Sequence, residues 1–136
     1  MLDYLISYLP IAFTAIIITC VMELFVAFLF RIKNYKVIIA ANVTTQVFLH
    51  IVISITYKTG FMFNNQYTIY GLYAAIELIV LVSEFLIYSK FIGNRKKSFL
   101  AMYSLSANLV SYLTGNIINV TGLALFLTDF ITGIFK

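Results

Sequence analysis

The sequence predicts an all-α membrane protein, folded as an up-down bundle of four transmembrane helices. Hydrophobic residues make up 62% of the 136 residues and charged residues only 10%, whereas a soluble domain carries about 25% charged residues. Four apolar stretches are each long enough to cross a bilayer, which takes about 20 helical residues. Alternating stretches of about ten residues, which a transmembrane barrel needs, are absent from the sequence. We therefore treat 1–136 as a single integral membrane domain.

The predicted spans follow one another with short connectors between them. They cover about 8–30, 37–57, 67–91 and 98–119. The first connector, 31–36, and the third, 92–97, are basic, whereas the second is polar and contains Gly60. Connectors this short make consecutive helices antiparallel. The tail, 120–136, is apolar but interrupted by Gly and Asp, and we expect it to extend the fourth helix or to lie along the membrane interface.

The basic residues predict the orientation of the chain in the membrane. Seven of the nine lysines and arginines lie in or beside the connectors 31–36 and 92–97. The positive-inside rule places both connectors in the cytoplasm, and both termini then lie outside a cell (inner) membrane. The net charge of +4 is concentrated in these clusters, which argues against binding to nucleic acid. The abundance of Lys, Ile, Asn, Phe and Tyr suggests an AT-rich bacterial genome.

The two halves of the chain resemble each other, which predicts an internal repeat. The segments 21–25 (VMELF) and 82–86 (VSEFL) each place a glutamate shortly before a basic connector. The spans after those connectors contain the similar segments 41–45 (ANVTT) and 107–111 (ANLVS). Because each half has two spans, the halves have the same orientation and form parallel two-helix repeats.

Three glutamates lie inside the predicted spans, namely Glu23, Glu77 and Glu84. A carboxyl group in hydrocarbon costs at least about 2.5 kcal/mol, so an intramembrane acid is a functional-site hypothesis. With a rise of about 1.5 Å per residue, Glu23 and Glu84 lie about 10 Å inside the cytoplasmic boundary. The two carboxyl groups are therefore predicted to lie at the same depth.

Amide side chains of other spans are expected near this depth. Asn42 lies about 8 Å, and Gln46 and Asn108 about 14–15 Å, from the cytoplasmic boundary. His50, the only histidine of the chain, lies about 20 Å deep, at the level of Glu77. The predicted substrate- or ion-binding residues are Glu23, Glu84, Asn42, Gln46, Asn108, Glu77 and His50.

Other residues are assigned to packing and anchoring. On the fourth span, Ser104, Ser111 and Gly115 form a small, polar face that allows close helix packing. Tyrosines near the span ends, Tyr88 among them, are predicted to form an aromatic belt at the interface. Helical spacing also places Tyr88 on one stripe with Glu77 and Glu84, on the face of the third span that is predicted to line a common interior. The single cysteine, Cys20, excludes an internal disulfide. The sequence has no HExxH or GxSxG motif and no phosphate-binding glycine loop, so we predict no catalytic residue, metal or cofactor.

The buried carboxyls have two possible roles, which the sequence leaves open. In one, protonated Glu23 and Glu84 bond to the amides and hold the helices together, each bond contributing about 0.6 to 2 kcal/mol. In the other, which we favour, the carboxyls bind a cation, a proton or a cationic substrate. Because burial disfavours the charged form of a carboxyl, both glutamates are predicted to carry protons.

Three functions follow from these observations. The first is an oligomeric transporter, or an ion- or proton-coupled conducting subunit, because four spans alone make a thin bundle. Its architecture resembles that of small multidrug exporters, which also have four spans and a glutamate in the first helix; the chain shares no motif with them and lacks tryptophan. The second is a non-catalytic membrane subunit that assembles with or regulates a larger complex, and the third is a membrane-embedded enzyme. The expected partners are membrane lipid and a second copy or another membrane protein.

Overall fold

The computed structural model describes residues 2–58, 66–93, 95–120 and 133. Its helices are α1 (Leu2–Leu29), α2 (Tyr35–Lys58), α3 (Gln66–Phe91) and α4 (Lys97–Val120). The described ranges contain no strand, which confirms the all-α prediction, and each predicted span overlaps one helix. The predicted polar connector after α2, and the tail apart from Val120 and Gly133, lie outside the described residues.

Three of these helices are long and apolar enough to cross a membrane. The stretches that qualify are Leu9–Leu29, Tyr35–Thr56 and Gly71–Phe91. At 24 residues, α4 is as long as α2, but its described part is less apolar because serine and asparagine recur along it. The prediction of membrane-spanning helices is thus confirmed for α1, α2 and α3, while the fourth span stays a prediction.

The four helices form a closed ring of contacts. Helix α1 packs against α2 and α4, and α3 packs against the same two helices. Two clusters of buried side chains fill the ring. The larger cluster joins the C-terminal ends of α1 and α3 to the N-terminal ends of α2 and α4, and the smaller one joins α2 to α3 through Leu49, Ile53, Ile76 and Val80.

The end of α1 is a Schellman motif, in which the residue after the helix is left-handed. Arg31 has a φ of 53°, its N–H donates to Phe28 O at 3.0 Å, and the Ile32 N–H donates to Ala27 O at 2.9 Å. Glycine is usual at this position. Here the buried Ile32 side chain and a bond from Arg95 Nη2 to the Arg31 carbonyl, at 3.2 Å, hold the turn. The same bond connects the two basic connectors.

The bundle has a largely apolar outer surface, and its mostly apolar interior also encloses several polar side chains. Large apolar side chains such as Leu9, Phe28 and Leu105 are exposed on the outer faces of the helices. Fully buried positions include Glu23 and Glu84. An outer surface of this kind is what hydrocarbon solvates and water does not, as expected of a membrane protein.

The tight packing of α4 can be tested with a pair of alanines on that helix. We expect Ala107→Leu to lower the free energy of unfolding by about 1–3 kcal/mol, because added methylenes overfill a packed interior, and Ala107 is fully buried. Ala101→Leu lies on the exposed side of the same helix and is expected to change it little. Unfolding in mild detergent, followed by circular dichroism, measures both values; equal losses would contradict the packing of α4.

Candidate functional site

The site is centred on two carboxyl groups that come from opposite helices of the ring. Glu23 lies on α1 and Glu84 on α3, and both side chains are fully buried. The carboxyls are close enough to interact electrostatically, although α1 and α3 lie diagonally across the ring of helices. The structure therefore brings together the two glutamates that the sequence placed at one depth.

Glu84 is held by donors from both neighbouring helices. Thr45 Oγ1 on α2 donates to Glu84 Oε1 at 2.7 Å, and Asn108 Nδ2 on α4 donates to Glu84 Oε2 at 2.6 Å. Asn108 Nδ2 also lies 3.0 Å from the Ser104 carbonyl oxygen one turn earlier. Both oxygens of Glu84 thus have a partner, and the carboxyl links three helices.

Glu23 has fewer partners than Glu84. The Tyr88 hydroxyl on α3 donates to Glu23 Oε2 at 3.0 Å. The Tyr103 hydroxyl on α4 lies 3.4 Å from the Glu23 backbone oxygen, and the rings of Tyr88 and Tyr103 pack 5.3 Å apart. Tyr88 is fully buried in this cluster. Of the two predicted places for Tyr88, the inner stripe with Glu84 is confirmed, and the interfacial aromatic belt is wrong because the ring points into the bundle.

Three buried polar atoms at this end of the site, one of them an oxygen of the Glu23 carboxyl, have no hydrogen-bond partner among the described residues. They are Glu23 Oε1 and both side-chain atoms of Asn42, Oδ1 and Nδ2. Asn42 is fully buried and lies close enough to Glu23 for their side chains to interact, but no bond of good geometry joins them. Buried polar groups are normally satisfied, so this part of the site has spare bonding capacity.

The surroundings of both carboxyls are electrically neutral. Every donor that the structure describes for them is a hydroxyl or an amide. The described basic side chains in and beside the connectors are exposed, namely Arg31, Lys33, Lys36, Lys90, Arg95, Lys96 and Lys97. Two ionised carboxylates at close range repel each other, and burial strengthens that repulsion. No charged donor that the structure describes therefore offsets the repulsion between the two carboxyls if both are ionised.

The remaining predicted binding residues lie outside this cluster. Gln46 and His50 on α2 and Glu77 on α3 are half-buried, and no described hydrogen bond joins Gln46 to either central carboxyl. Glu77 is two helical turns from Glu84 and interacts with it electrostatically. In the described part of the chain, no group of three or more His, Cys, Asp or Glu side chains is arranged to hold a metal ion.

The predicted packing residues of α4 differ from one another. Ser104 is buried, and its Oγ donates to the Leu81 carbonyl of α3 at 3.3 Å, so it lies at a helix contact. Ser111 Oγ donates to Asn108 O within α4 at 3.2 Å. A Cβ added at Gly115 would meet no atom within 4 Å, so Gly115 is not at a close contact between the described helices.

Sequence reasoning left two ligands of the carboxyls out of the binding set, Thr45 and Tyr88. Both carried a positional signal. Tyr88 follows Glu84 by four residues and Thr45 follows Asn42 by three, spacings that place side chains on one helix face.

Comparison of the chain with protein-family models, with curated proteins and with solved structures finds no match. The fold and the site alone thus assign the class of protein: a helical protein with three helices apolar enough for a membrane and a buried pair of carboxyls at its centre. A narrower assignment depends on the geometry of the pair.

The bond between α2 and Glu84 can be tested with two adjacent threonines. Both hydroxyl oxygens lie within hydrogen-bond distance of the carbonyl four residues earlier, but only that of Thr45 also lies within hydrogen-bond distance of Glu84, while Thr44 is exposed. We expect Thr45→Val to lower the free energy of unfolding by about 0.6–2 kcal/mol more than Thr44→Val, the usual contribution of an interhelical bond in a membrane. Unfolding in detergent measures both variants; a similar loss from the two would mean that the Thr45–Glu84 bond contributes nothing.

Proposed function

We propose that this protein is a small polytopic membrane protein that carries protons or small cations, and that Glu23 and Glu84 bind them. The observation that carries the proposal is the pair of fully buried, mutually close carboxyls whose described donors are all neutral. Such a pair is stable only with a compensating positive charge. A bound proton or cation supplies that charge, and transport follows when it is taken up from one side of the membrane and released to the other.

The ligand is small. Glu23, Glu84 and Asn42 are fully enclosed, so an organic substrate does not reach them in the described conformation. For the same reason we propose that the site binds and releases its ligand and performs no enzymatic reaction. Intramembrane acids in this setting typically belong to ion pathways and proton relays.

An up-down arrangement of four spans, built from two parallel repeats, accompanies this proposal. It is supported by the larger core cluster, which gathers the ends of α1 and α3 with the beginnings of α2 and α4. It is also supported by the pairing of Glu84 with Asn108, which matches the placement of Glu23 beside Asn42. Helix α4 spans the membrane in this arrangement, with Ser104 and Asn108 facing α3 inside the ring.

We further propose that the protein acts as a homo-oligomer. A ring of four helices whose centre is filled by side chains leaves no wide path for an ion. A second copy of the chain supplies further helices, so that a path can form between the copies. Exposed apolar faces are present on all four helices. They provide the surface on which lipid or another copy packs.

A non-catalytic membrane subunit is the second candidate function. One observation favours it: Glu84 bonds to Thr45 and Asn108 and so joins three helices, as a structural clamp would. In that case the exposed apolar faces would bind a different membrane protein.

Proton flux through reconstituted protein tests the transport proposal. In liposomes with an internal pH dye and an imposed pH gradient, we expect the wild type to accelerate equilibration. Glu23→Gln and Glu84→Gln are expected to reduce the rate to that of empty liposomes, because the amide keeps the shape but binds no proton. Thr44→Val, on the exposed face of α2, serves as the control with unchanged flux.

Two results would contradict this proposal. Full flux in both glutamine variants would mean that the carboxyls take no part in transport. The accessory subunit would be favoured by two results together. The flux of protons and of alkali cations through the wild type would equal that of empty liposomes, and the protein would purify in a defined complex with another membrane protein.

The proposed orientation, with both termini outside, can be tested by cysteine labelling. Cys20 is the only native cysteine, so Cys20→Ala provides a background for single cysteines at Lys33 and Lys96, which are exposed. We expect a membrane-impermeant maleimide to label both positions only after the cells are opened, because basic connectors stay in the cytoplasm. Labelling of intact cells at both sites would reverse the orientation.

A further inference from the structure

The two matching glutamate–asparagine pairs are in different bonding states. In the second half, Asn108 Nδ2 donates to Glu84 Oε2 at 2.6 Å. In the first half, Asn42 lies beside Glu23, but Glu23 Oε1 and both Asn42 side-chain atoms are without a partner among the described residues. Two similar sequence segments thus form one closed half-site and one open half-site.

The bonds of the closed half-site suit an ionised carboxylate. The Thr45 hydroxyl has one proton to donate. Its oxygen lies 2.7 Å from Glu84 Oε1, closer than to the backbone oxygens of Asn42, at 3.0 Å, and Ala41, at 3.1 Å. With that proton directed at Glu84 and the Asn108 amide on Oε2, both oxygens of Glu84 accept. A carboxylate is an acceptor only, so bonds of this kind favour the charged form.

The open half-site suits a protonated carboxyl. Glu23 Oε2 accepts from Tyr88, whereas Oε1 has no described donor. A proton on Oε1 removes the charge and makes this oxygen a donor. Asn42 Oδ1 is an unpartnered acceptor beside it, and because neither amide atom of Asn42 has a described partner, the amide can turn Oδ1 toward Glu23 without losing a bond.

We propose that Glu23 is the proton-binding residue of the pair, protonated on Oε1 and hydrogen-bonded to Asn42 Oδ1, while Thr45 and Asn108 hold Glu84 as the carboxylate. The ligand of the site is then a single proton for two carboxyls. The proposal rests on the proposed function only for the use of that proton in transport, because a proton bound at Glu23 needs no flux to exist.

Asn42 is suited to respond to this proton because its amide offers both an acceptor and a donor. When Glu23 is protonated, Asn42 Oδ1 accepts from it. When the proton leaves, rotation of the amide lets Nδ2 donate to Oε1, as Asn108 does to Glu84. Deprotonation thus gives the first half-site the bonding pattern of the second.

The other titratable groups near Glu23 come from three of the helices. Cys20 is one turn earlier on α1, Glu84 and Tyr88 face it from α3, and Tyr103 faces it from α4. From α2 it is faced by Asn42, which does not titrate. Glu84 is the one carboxylic acid in this group, so the proton is shared between the two carboxyls of the pair.

Infrared spectroscopy of the protein in lipid films tests this assignment, because protonated and ionised carboxyls absorb in separate regions. A Glu77→Gln background removes the third intramembrane acid. We expect a protonated-carboxyl band at neutral pH that Glu23→Gln abolishes and Glu84→Gln retains. Asn42→Leu is expected to shift the band, since the acid loses its acceptor, while the matched variant Asn108→Leu leaves its frequency unchanged.

Several outcomes would overturn the assignment. The first is a wild type without the protonated-carboxyl band. The second is a band that Glu84→Gln abolishes and Glu23→Gln retains, and the third is a band that remains in both glutamine variants. Replacing choline chloride with sodium chloride at constant pH is expected to leave the band intact; a weakened band would make the ligand an alkali cation. If circular dichroism shows that Glu23→Gln does not fold, Glu23→Asp replaces it, and the band is expected to change frequency.

The spectra and the flux assay separate this inference from the proposed function. A band that belongs to Glu23 in a protein without flux would leave the proton site standing and contradict transport. Flux that survives Glu23→Gln but not Glu84→Gln, with the band on Glu84, would preserve transport and contradict the assignment to Glu23.

Discussion

Burial of two carboxyl groups at the centre of an apolar helix ring is the constraint on which the rest of the interior depends. Neither Glu23 nor Glu84 is exposed, and a carboxyl in such surroundings costs several kcal/mol unless it is bonded or neutralised. The polar groups of the other helices are placed accordingly. Hydroxyls and amides from α2, α3 and α4 bond to the pair, while the described basic side chains of the connectors remain at the surface.

The difference between the two glutamates has a physical origin in their neighbours. Glu84 receives one donor from each helix beside it. Glu23 receives a tyrosine from the opposite helix, while the side chain of Asn42 beside it has no hydrogen-bond partner among the described residues. The bundle therefore offers one carboxyl a donor on each oxygen and leaves the other with an open oxygen. This asymmetry allows two acids at close range to take different protonation states, as in other paired carboxyl sites.

Sequence reasoning located the centre of the site but not its bonds. Depth along the helices placed Glu23, Glu84, Asn42 and Asn108 in one layer, and the structure brings them together. For Tyr88, distance from the span end predicted an interfacial belt, whereas helical spacing predicted the inner stripe of Glu84; the structure buries the ring and so confirms the spacing. Sequence reasoning also included Gln46 and His50, which share a helix with Asn42 but are only half-buried. Depth is set by the chain, whereas facing is set by helix rotation and packing.

By itself, the sequence determined that the helices are apolar enough for a membrane, the number and approximate extent of the described helices, and the presence of buried acids whose charge must be offset. These properties follow from composition, from the length of apolar stretches and from the cost of burying charge, all of which act locally along the chain. Only the tertiary structure decided which carboxyl is satisfied and which is open. That outcome depends on Thr45, Tyr88 and Asn108, which reach the pair from three different helices. Helical spacing can place these side chains on the inner faces of their helices, but packing between separate helices decides which oxygen each one reaches.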